Sequence, residues 1–235
     1  MKICILTPIY FLISISSFAQ STGNTYKVKN GTDISQAIPF GERYKYELFR
    51  NGKVYFRNGK ISTAKLNYSL FHGEIQFINL QNDTLMLADN DFIDRIEIGN
   101  DLFYYVRKNG HIWLKNNFGE IKLAEKQRLM IMGKEKYSAY DQYSATSSIS
   151  SYSSFNNGNG VALGLKGNDK AVLRKKSIYY LIDKNQRFYL ANKASLFKIY
   201  PEKKRILNGY LKENDIDFNN EQDLINLLQF SSSVK

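Results

Sequence analysis

The amino-acid sequence predicts an α+β fold: an antiparallel β-meander, forming a curved sheet or a partial barrel, followed by a β-hairpin and C-terminal helices. Three observations along the 235-residue chain lead to this prediction. Short runs of aromatic and β-branched residues, separated by Gly, Asn or Asp, recur from residue 40 to about residue 134. Two further short strands are predicted around Asp183–Asn185, and the residues after them place apolar side chains at helical spacing.

The strands of the predicted sheet domain, residues 40–134, come at roughly ten-residue intervals, which is typical of antiparallel strands joined by tight turns. They are rich in Val, Ile, Tyr and Phe, residues that favour a pleated and half-buried surface. We predict strands at Val54–Phe56, Leu66–Leu70, Glu74–Leu80, Thr84–Ala88, Phe92–Ile98, Leu102–Arg107, His111–Leu114 and Ile121–Ala124.

Residues 49–60 read FRNGKVYFRNGK, so the same five-residue string occurs twice. Asn-Gly is the strongest short hairpin signal, because a type I′ turn needs positive φ at both central positions. The pattern predicts turns at Asn51-Gly52 and Asn58-Gly59, with one short strand between them. Arg50 and Arg57 would then lie on adjacent turns, where they are candidate ligand contacts. The alternative is that the repetition reflects turn chemistry alone.

The composition changes abruptly over residues 137–160, where eight Ser and four Tyr are followed by Asn-Asn-Gly-Asn-Gly. Low hydrophobicity and few charges predict a loop or linker. The alternative is a carbohydrate site, because Tyr rings stack on sugar faces while hydroxyl groups pair with sugar hydroxyls. Tyr140, Tyr143 and Tyr152 are the candidate contact residues of such a site.

The last segment, residues 161–235, predicts a hairpin followed by helices. The hairpin strands are predicted at Ser177–Ile182 and Arg187–Leu190. A short helix over Ala194–Tyr200 comes next, and Pro201 suits the first turn of a second helix. Asn219 or Asn220 then caps a final helix, because a side-chain oxygen at that position accepts hydrogen bonds from the first free backbone N–H groups.

Residues 1–19 have the layout of a secretory signal peptide. Lys2 supplies a positive start, an apolar run follows, and cleavage is expected after the small residue Ala19. That run is too short for a membrane-spanning helix, and no second one follows, so we expect no transmembrane span in the mature chain. The single Cys4 would be removed with the signal, which excludes disulfides and thiol chemistry. Residues 20–39 remain as an N-terminal extension.

The chain carries a formal net charge of +11, which could attract anionic lipid, polysaccharide or nucleic acid. The charges are scattered, however, and no run exceeds three, as in Lys203-Lys204-Arg205. No nucleic-acid motif accompanies them, and export would remove the usual nucleic-acid partners. We therefore expect an envelope protein, a glycan or a lipid as the partner, and no nucleic acid.

The two histidines, His72 and His111, each stand beside a glycine in a predicted turn, and neither has a second histidine at ligand spacing. The acidic residues of 89–97 and 215–221 could bind calcium weakly in an exported protein. Turn formation explains the first cluster and helix capping the second, since neither completes the ligand order of a calcium loop. We predict no metal and no cofactor.

The carboxylates Glu74, Asp83 and Glu120 could serve a glycan hydrolase if two of them faced each other across a cleft. A serine triad is excluded as a mechanism, because no Gly-x-Ser-x-Gly frame presents a nucleophile. No catalytic residue is assigned from the sequence, and whether the protein is an enzyme stays open at this point.

Four features of the sequence carry a resemblance. They are the signal ending SFAQ, the bias toward Lys, Asn, Ile and Tyr, and the two segments AKLNYSLFHGEIQFINLQNDTLMLAD and SLFKIYPEKKRILNGYLKENDIDFNNEQDLINLL. Together they resemble a family of secreted or periplasmic proteins of Bacteroidota-type Gram-negative bacteria. The resemblance covers most of the mature chain and brings no activity and no catalytic residues. It implies a location in the periplasm, at the outer membrane or outside the cell.

The leading hypothesis from the sequence is an exported, non-enzymatic envelope protein with a binding or structural role. The first alternative is a periplasmic carrier of an apolar ligand such as lipid, because a curved sheet covered by helices can enclose a pocket. The second alternative is a carboxylate-based glycan hydrolase. Native mass spectrometry discriminates the first two, since a carrier retains its lipid through gentle purification.

Overall fold

The computed structural model describes residues 25–88, 90–137, 143–146 and 168–234. Its main feature is one sheet of twelve strands, joined throughout by antiparallel pairings. The strands are β1 (Thr25–Lys29), β2 (Arg50–Phe56), β3 (Ile61–Ser69), β4 (Glu74–Ile78), β5 (Thr84–Met86), β6 (Ile93–Ile98), β7 (Asp101–Val106), β8 (Gly110–Phe118), β9 (Ile121–Tyr137), β10 (Tyr143–Thr146), β11 (Lys170–Ile182) and β12 (Phe188–Leu190). The predicted class is confirmed: a largely β, α+β fold with a curved, open antiparallel sheet and C-terminal helices.

The strand order in the sheet is β1-β11-β9-β8-β7-β6-β2-β3-β4-β5, with β10 paired to β9 and β12 to β11. Most neighbours are consecutive in the chain, as a meander requires, and the β2–β6 pairing attaches the β2–β5 strands to the edge of the sheet at β6. The curvature of the sheet brings the β3–β4 turn to β9, where the Leu129 N–H donates to the Leu70 carbonyl over 2.7 Å.

Each predicted strand overlaps an observed one, and the largest difference is in β9, which continues from the predicted end at Ala124 to Tyr137. The sequence signal weakens there because Glu125 and Lys126 interrupt the apolar pattern. Both residues are nonetheless buried, since their polar groups find partners inside the protein. Strands β1 and β10 were not predicted.

The two copies of the duplicated string adopt different structures. Asn58-Gly59 lies in the predicted turn between β2 and β3, with Gly59 at φ +84°. The turn is not type I′: Asn58 has no positive φ, and the Phe56 N–H donates to the Lys60 carbonyl across a three-residue loop. The turn predicted at Asn51-Gly52 is wrong, because both residues lie inside β2.

Glycine is needed at position 52 for space and not for a turn. A Cβ there would lie 2.6 Å from the carbonyl oxygen of Glu97 on β6 and 2.7 Å from Leu66 Cδ1 on β3. A glycine inside a strand often marks such a close approach of neighbouring groups. The Asn-Gly signal could not distinguish this packing from a turn.

Five helices accompany the sheet among the described residues: α1 (Ile34–Ala37), α2 (Phe40–Arg43), α3 (Lys193–Ile199), α4 (Lys204–Glu213) and α5 (Glu221–Ser233). The three C-terminal helices confirm the prediction. Of the two cap candidates Asn220 is the N-cap, and its side chain accepts from the N–H groups of Gln222 and Asp223. None of the helices in the described residues is both long and apolar enough to cross a membrane.

Two large hydrophobic cores hold these elements together. The first lies among β2, β3, β6 and β7, with Val54, Leu66, Ile96 and Phe103 at its centre. The second packs the C-terminal helices on β9 and β11 through Leu123, Leu181, Leu196, Leu207, Leu224 and Leu228. A third, smaller cluster contains Ile112, Ala124, Tyr180 and Ile182. Successive strand residues point to opposite faces, so β9 and β11 bury apolar side chains on both faces of the sheet.

The sheet also joins segments that the sequence separates. Strand β1, from the N-terminal extension, pairs with β11, and β11 pairs with β9 along Lys170–Ile182. Within the Ser- and Tyr-rich segment, β10 pairs with β9, whereas residues 138–142 and 147–160 lie outside the described residues. The predicted sheet segment and the predicted C-terminal hairpin therefore share one sheet.

Candidate binding site

A groove of about 550 Å³ crosses strands β2 and β3. Its lining consists of Asn51–Lys53 from β2 and Thr63–Lys65 from β3. These residues are direct cross-strand partners, and the small pair Gly52 and Ala64 lies between two polar pairs. We call this feature the β2–β3 groove. Its volume falls in the range of sites that hold a small ligand, about 300–1,000 Å³.

Four polar side chains of the β2–β3 groove are available to a ligand. Asn51, Lys53, Thr63 and Lys65 are exposed, and none makes a side-chain hydrogen bond or ion pair with another described residue. Side chains two residues apart on a strand project to the same face, so these four share one face of the sheet. Two ammonium groups beside an amide and a hydroxyl suit an anionic ligand that also carries hydroxyl groups.

The structure does not place the two predicted arginine contacts together. Arg50 begins β2, where its guanidinium lies 4.5 Å from the centre of the Tyr46 ring. Arg57 follows the other end of the strand, and its Nε donates to the Asp91 carbonyl over 3.1 Å. The sequence predicted that the two arginines lie on adjacent turns. This prediction is wrong, because Arg50 lies in β2 and only Arg57 lies in a turn.

The three tyrosines proposed for a carbohydrate site receive no structural test. Tyr143 lies on β10, opposite Tyr137 of β9. Tyr140 and Tyr152 lie outside the described residues. Their role as ligand contacts therefore stays a prediction.

Three residues that the sequence suggested for separate chemistries converge at one place. His72 and Glu74 lie at the β3–β4 turn and the start of β4, and His111 lies on β8. The Nδ1 atom of the buried His111 imidazole lies 2.5 Å from the Glu74 carboxylate. His111 Nε2 is buried without a hydrogen-bond partner among the described residues.

A buried lysine completes this Glu74–His111 cluster. Lys126 of β9 donates to the Asn109 carbonyl in the β7–β8 turn. Burial lowers the pKa of Lys126 to about 8, although the nearby Glu74 carboxylate acts in the opposite direction. A Cβ at Gly73 would lie 2.8 Å from Lys126 Cε, so the lysine needs the glycine beside it.

The Glu74–His111 cluster has the features of a structural junction. It joins the β3–β4 turn to β8 and β9 across the curved sheet. Burial also lowers the pKa of His72, so burial favours the neutral imidazole there. No group of three or more His, Cys, Asp or Glu residues within the described ranges is arranged to hold a metal ion.

A second polar cluster surrounds the cross-strand pair Trp113 and Glu125. Lys45 Nζ lies 3.0 Å from the centre of the Trp113 ring, and the indole N–H donates to Asp101 over 3.1 Å. Glu125 accepts from Ser177 over 2.5 Å, and it is 4 % exposed. Burial lowers the pKa of Lys45, opposed by Asp101.

The cavity beside this second cluster is too small for an organic ligand. It offers about 10 Å³, and Lys45, Tyr68, Trp113 and Glu125 are among its lining residues. That space corresponds to about one water molecule. The cluster is therefore held together by cation–π contacts and hydrogen bonds and does not form a ligand pocket.

The candidate hydrolase carboxylates do not form an acid–base pair. Glu74 lies near the start of β8 and Glu120 follows its end, so nine strand residues separate them, roughly 26 Å at about 3.3 Å per residue. Glycosidase carboxyl groups lie about 5–9.5 Å apart. Asp83 is in the β4–β5 turn, where it accepts from Asn79, and Glu120 pairs with Lys184 at 3.8 Å.

Most acidic residues of the clusters considered for calcium have partners within the described residues. Asp91 pairs with Arg107 at 2.6 Å, and Arg95 pairs with both Asp94 and Glu97. In the second cluster, Asp217 accepts from Asn219, while Glu221 pairs with Lys115 at 3.0 Å. Asp89 lies outside the described residues.

Comparison of the chain with protein-family models, with curated proteins and with solved structures found no match. Sequence reasoning missed all four polar groove residues, Asn51, Lys53, Thr63 and Lys65, as candidate contacts. The signal that could have found Lys53 is the first copy of the duplicated string, which lines the β2–β3 groove.

Proposed function

We propose that this protein is an exported, non-enzymatic binding protein of the cell envelope, and that the β2–β3 groove holds an acidic glycan. The observation that supports the proposal most strongly is the set of four polar groove side chains without partners among the described residues. Lys53 and Lys65 supply positive charge for a carboxylate, sulfate or phosphate group. Asn51 and Thr63 supply hydrogen bonds for sugar hydroxyls.

The chemistry of the groove favours a polar ligand over an apolar one. Its lining contributes two ammonium groups, an amide, a hydroxyl and one small pair, with no large apolar side chain. A lipid chain in that groove would leave these polar groups without water or partners, which costs free energy. The β2–β3 groove therefore does not support the hypothesis of a carrier for an apolar ligand.

The arrangement of the carboxylates favours binding over hydrolysis. Glu74 and Glu120 lie at opposite ends of β8, and Glu125 accepts from Ser177 while lying 3.4 Å from Lys115. Both partners of Glu125 are protein groups, so this buried carboxylate serves internal contacts. The separation of Glu74 and Glu120, roughly 26 Å, exceeds the range of about 5–9.5 Å that glycoside hydrolysis needs.

The groove is tested with a tetragalacturonate oligosaccharide and its neutral methyl ester, measured by isothermal titration calorimetry. We expect binding of the uronate, weaker binding of the ester, and at least a tenfold loss of uronate affinity in the double variant Lys53→Ser, Lys65→Ser. The control variant Lys176→Ser, Lys212→Ser removes the same charge elsewhere from exposed positions. Equal binding of both ligands, or equal loss in both variants, would contradict the proposal.

The exported location has a separate test. The layout of residues 1–19 predicts a mature chain that begins at Gln20 and carries no acyl group. The intact mass of the protein recovered from the envelope of a Gram-negative host checks this expectation. A mass that includes residues 1–19 would contradict it, without bearing on the groove.

A further inference from the structure

One end of the sheet combines exposed apolar side chains with unpaired cations. It consists of the β2–β3 turn with the first residue of β3, the β4–β5 turn, the short 3-10 helix before β6 and the β7–β8 turn, residues 57–61, 79–83, 90–92 and 107–109. We call this feature the loop end. None of its residues belongs to the β2–β3 groove.

Hydrogen bonds and strand register bring these loops together. The Arg57 N–H donates to the Phe92 carbonyl over 2.9 Å, and Arg107 pairs with Asp91 at 2.6 Å. Lys65 of β3 pairs with Ile78 of β4 in an antiparallel register. The β4–β5 turn that follows Ile78 therefore runs alongside the first residues of β3.

Three large apolar side chains of the loop end face solvent. Leu80 is 98 % exposed, Phe92 is 67 % exposed and Ile61 is 54 % exposed. They come from three different loops, so no single irregular segment accounts for them. A folded chain ordinarily exposes such side chains singly, and several at one place mark a contact surface.

The charges of the loop end favour an anionic partner. Its described residues contain four cations, Arg57, Lys60, Arg107 and Lys108, against the two carboxylates Asp83 and Asp91. Asp91 is neutralised by Arg107, whereas Lys60 and Lys108 have no ion pair with any described residue. Arg57 donates one hydrogen bond to the Asp91 carbonyl and forms no ion pair with a carboxylate of the described residues, although the Arg107 hydrogen bond and, to a lesser degree, the Arg57 charge lower the pKa of the nearby Asp91.

We propose that the loop end docks on an anionic lipid surface, with the apolar side chains entering the headgroup region and the cations facing lipid phosphates. Apolar side chains bordered by Lys and Arg are the pattern that binds membrane interfaces, because burial and charge attraction act together. Each cation near an anionic surface contributes attraction that falls off within a Debye length. The docked orientation leaves the groove lysines Lys53 and Lys65 outside the contact residues.

Vesicle flotation with the purified protein tests the proposal. The vesicles contain either phosphatidylglycerol and phosphatidylcholine or phosphatidylcholine alone. We expect binding to the anionic vesicles that weakens with added salt, and much weaker binding to the neutral ones. Free inorganic phosphate at millimolar concentration should not compete, because the apolar contacts need a membrane. Competition by phosphate would show a simple anion site and overturn the proposal.

Two matched pairs of variants locate the contact. Arg57→Ser with Lys60→Ser should lower partitioning about tenfold or more, whereas Lys176→Ser with Lys212→Ser, of equal net charge, should leave it near wild type. Leu80→Ser with Phe92→Ser should lower it about tenfold, whereas Leu48→Ser with Leu190→Ser, also at exposed apolar positions, should not. Equal losses within either pair, or no vesicle binding by the wild type, would overturn the proposal.

The proposal for the groove and the proposal for the loop end can be contradicted independently of each other. Lys53→Ser with Lys65→Ser should lower the affinity for the uronate at least tenfold and leave vesicle binding intact. If that variant alone lost the vesicles, lipid phosphate would occupy the groove and the loop-end proposal would be wrong. Circular dichroism and melting curves of every variant exclude unfolding as the cause of a loss.

Discussion

Gly52 and Gly59 follow the same residues in the duplicated string, yet each requires glycine for a different physical reason. At Gly59 there is open space around a Cβ, but φ is +84°. At Gly52 the backbone needs no positive φ, and the Glu97 carbonyl and Leu66 leave no room. The same local sequence therefore provides a positive φ at Gly59 and close packing between strands at Gly52.

Substitution by asparagine separates these two reasons. Asn tolerates the left-handed region, so Gly59→Asn should cost less than about 1 kcal/mol in the free energy of unfolding. Gly52→Asn forces a side chain against a backbone oxygen and should cost about 3 kcal/mol or more. Denaturant unfolding measures both. Gly209→Ala in α4, with no atom within 4 Å of the added Cβ, should stabilise by about 0.5–1 kcal/mol. Equal losses at positions 52 and 59 would contradict the assignment.

Lys126 should make the stability of the protein rise with pH in the alkaline range. Burial lowers its pKa to about 8 in the folded state, whereas an unfolded lysine titrates near about 10.4. Below the folded pKa, Lys126 is protonated in both the folded and the unfolded state, so burial of its charge lowers the free energy of unfolding by the full amount. Between the two values the unfolded state binds more protons, and stability rises by up to about 3 kcal/mol.

Denaturant unfolding at a series of pH values between 7 and 11 checks this slope, with Lys126→Met as the matched variant. Other lysines and tyrosines titrate in the same range in both proteins, so the difference between the two curves isolates Lys126. We expect the difference to change with pH above the folded pKa. Parallel curves would show that Lys126 has an unshifted pKa.

The attachment of α5 shows how a helix end and a strand act together. Asn220 caps the helix, Glu221 in its first turn pairs with Lys115 of β8 at 3.0 Å, and Leu224 and Leu228 enter the second core. An acidic first turn also suits the positive end of the helix dipole. The cap and the ion pair set where the helix begins, and the apolar residues set which face it buries.

Asn220→Ala should lower the free energy of unfolding by about 0.5–2 kcal/mol, because two backbone N–H groups lose their acceptor. Asn226→Ala, an exposed position inside the same helix that bonds only to Gln222, is the control and should be neutral or slightly stabilising. Thermal and denaturant unfolding measure both variants. A larger loss at position 226 than at 220 would refute the capping role.

At the scale of the whole molecule, pairing of β11 with β9 joins the parts of the chain that flank the Ser- and Tyr-rich segment. The two strands pair along Lys170–Ile182, and β1 continues the sheet on the far side of β11. The second core adds contacts between β9, β11 and the C-terminal helices. The two flanking parts should therefore behave as one cooperative unit.

A protease site inserted within residues 147–160 tests this unity. After cleavage, the two fragments should elute together by gel filtration in native buffer and should separate only in denaturant, because the long strand pairing needs no peptide link. One melting transition is expected for the cleaved protein. Separate elution of two folded fragments in native buffer would show independent domains instead.

Part of the candidate site could be foreseen from the sequence. The duplicated string drew attention to residues 49–60, and its first copy does line the β2–β3 groove. Thr63 and Lys65 carry no signal of their own, because their role follows from pairing with Lys53 and Asn51. The contact between Glu74 and His111, 37 residues apart, could likewise not be predicted from the sequence, because it depends on the curvature of the sheet.

The sequence by itself determined the strand segments between tight turns, the C-terminal hairpin and the capped helices, because these depend on local backbone preferences and on the spacing of apolar side chains. The tertiary structure decided the rest. Burial of Glu125 and Lys126, the need for glycine at position 52 and the polar lining of the groove arise only when distant strands become neighbours. Strand order and sheet curvature set those neighbours, and local sequence does not encode them.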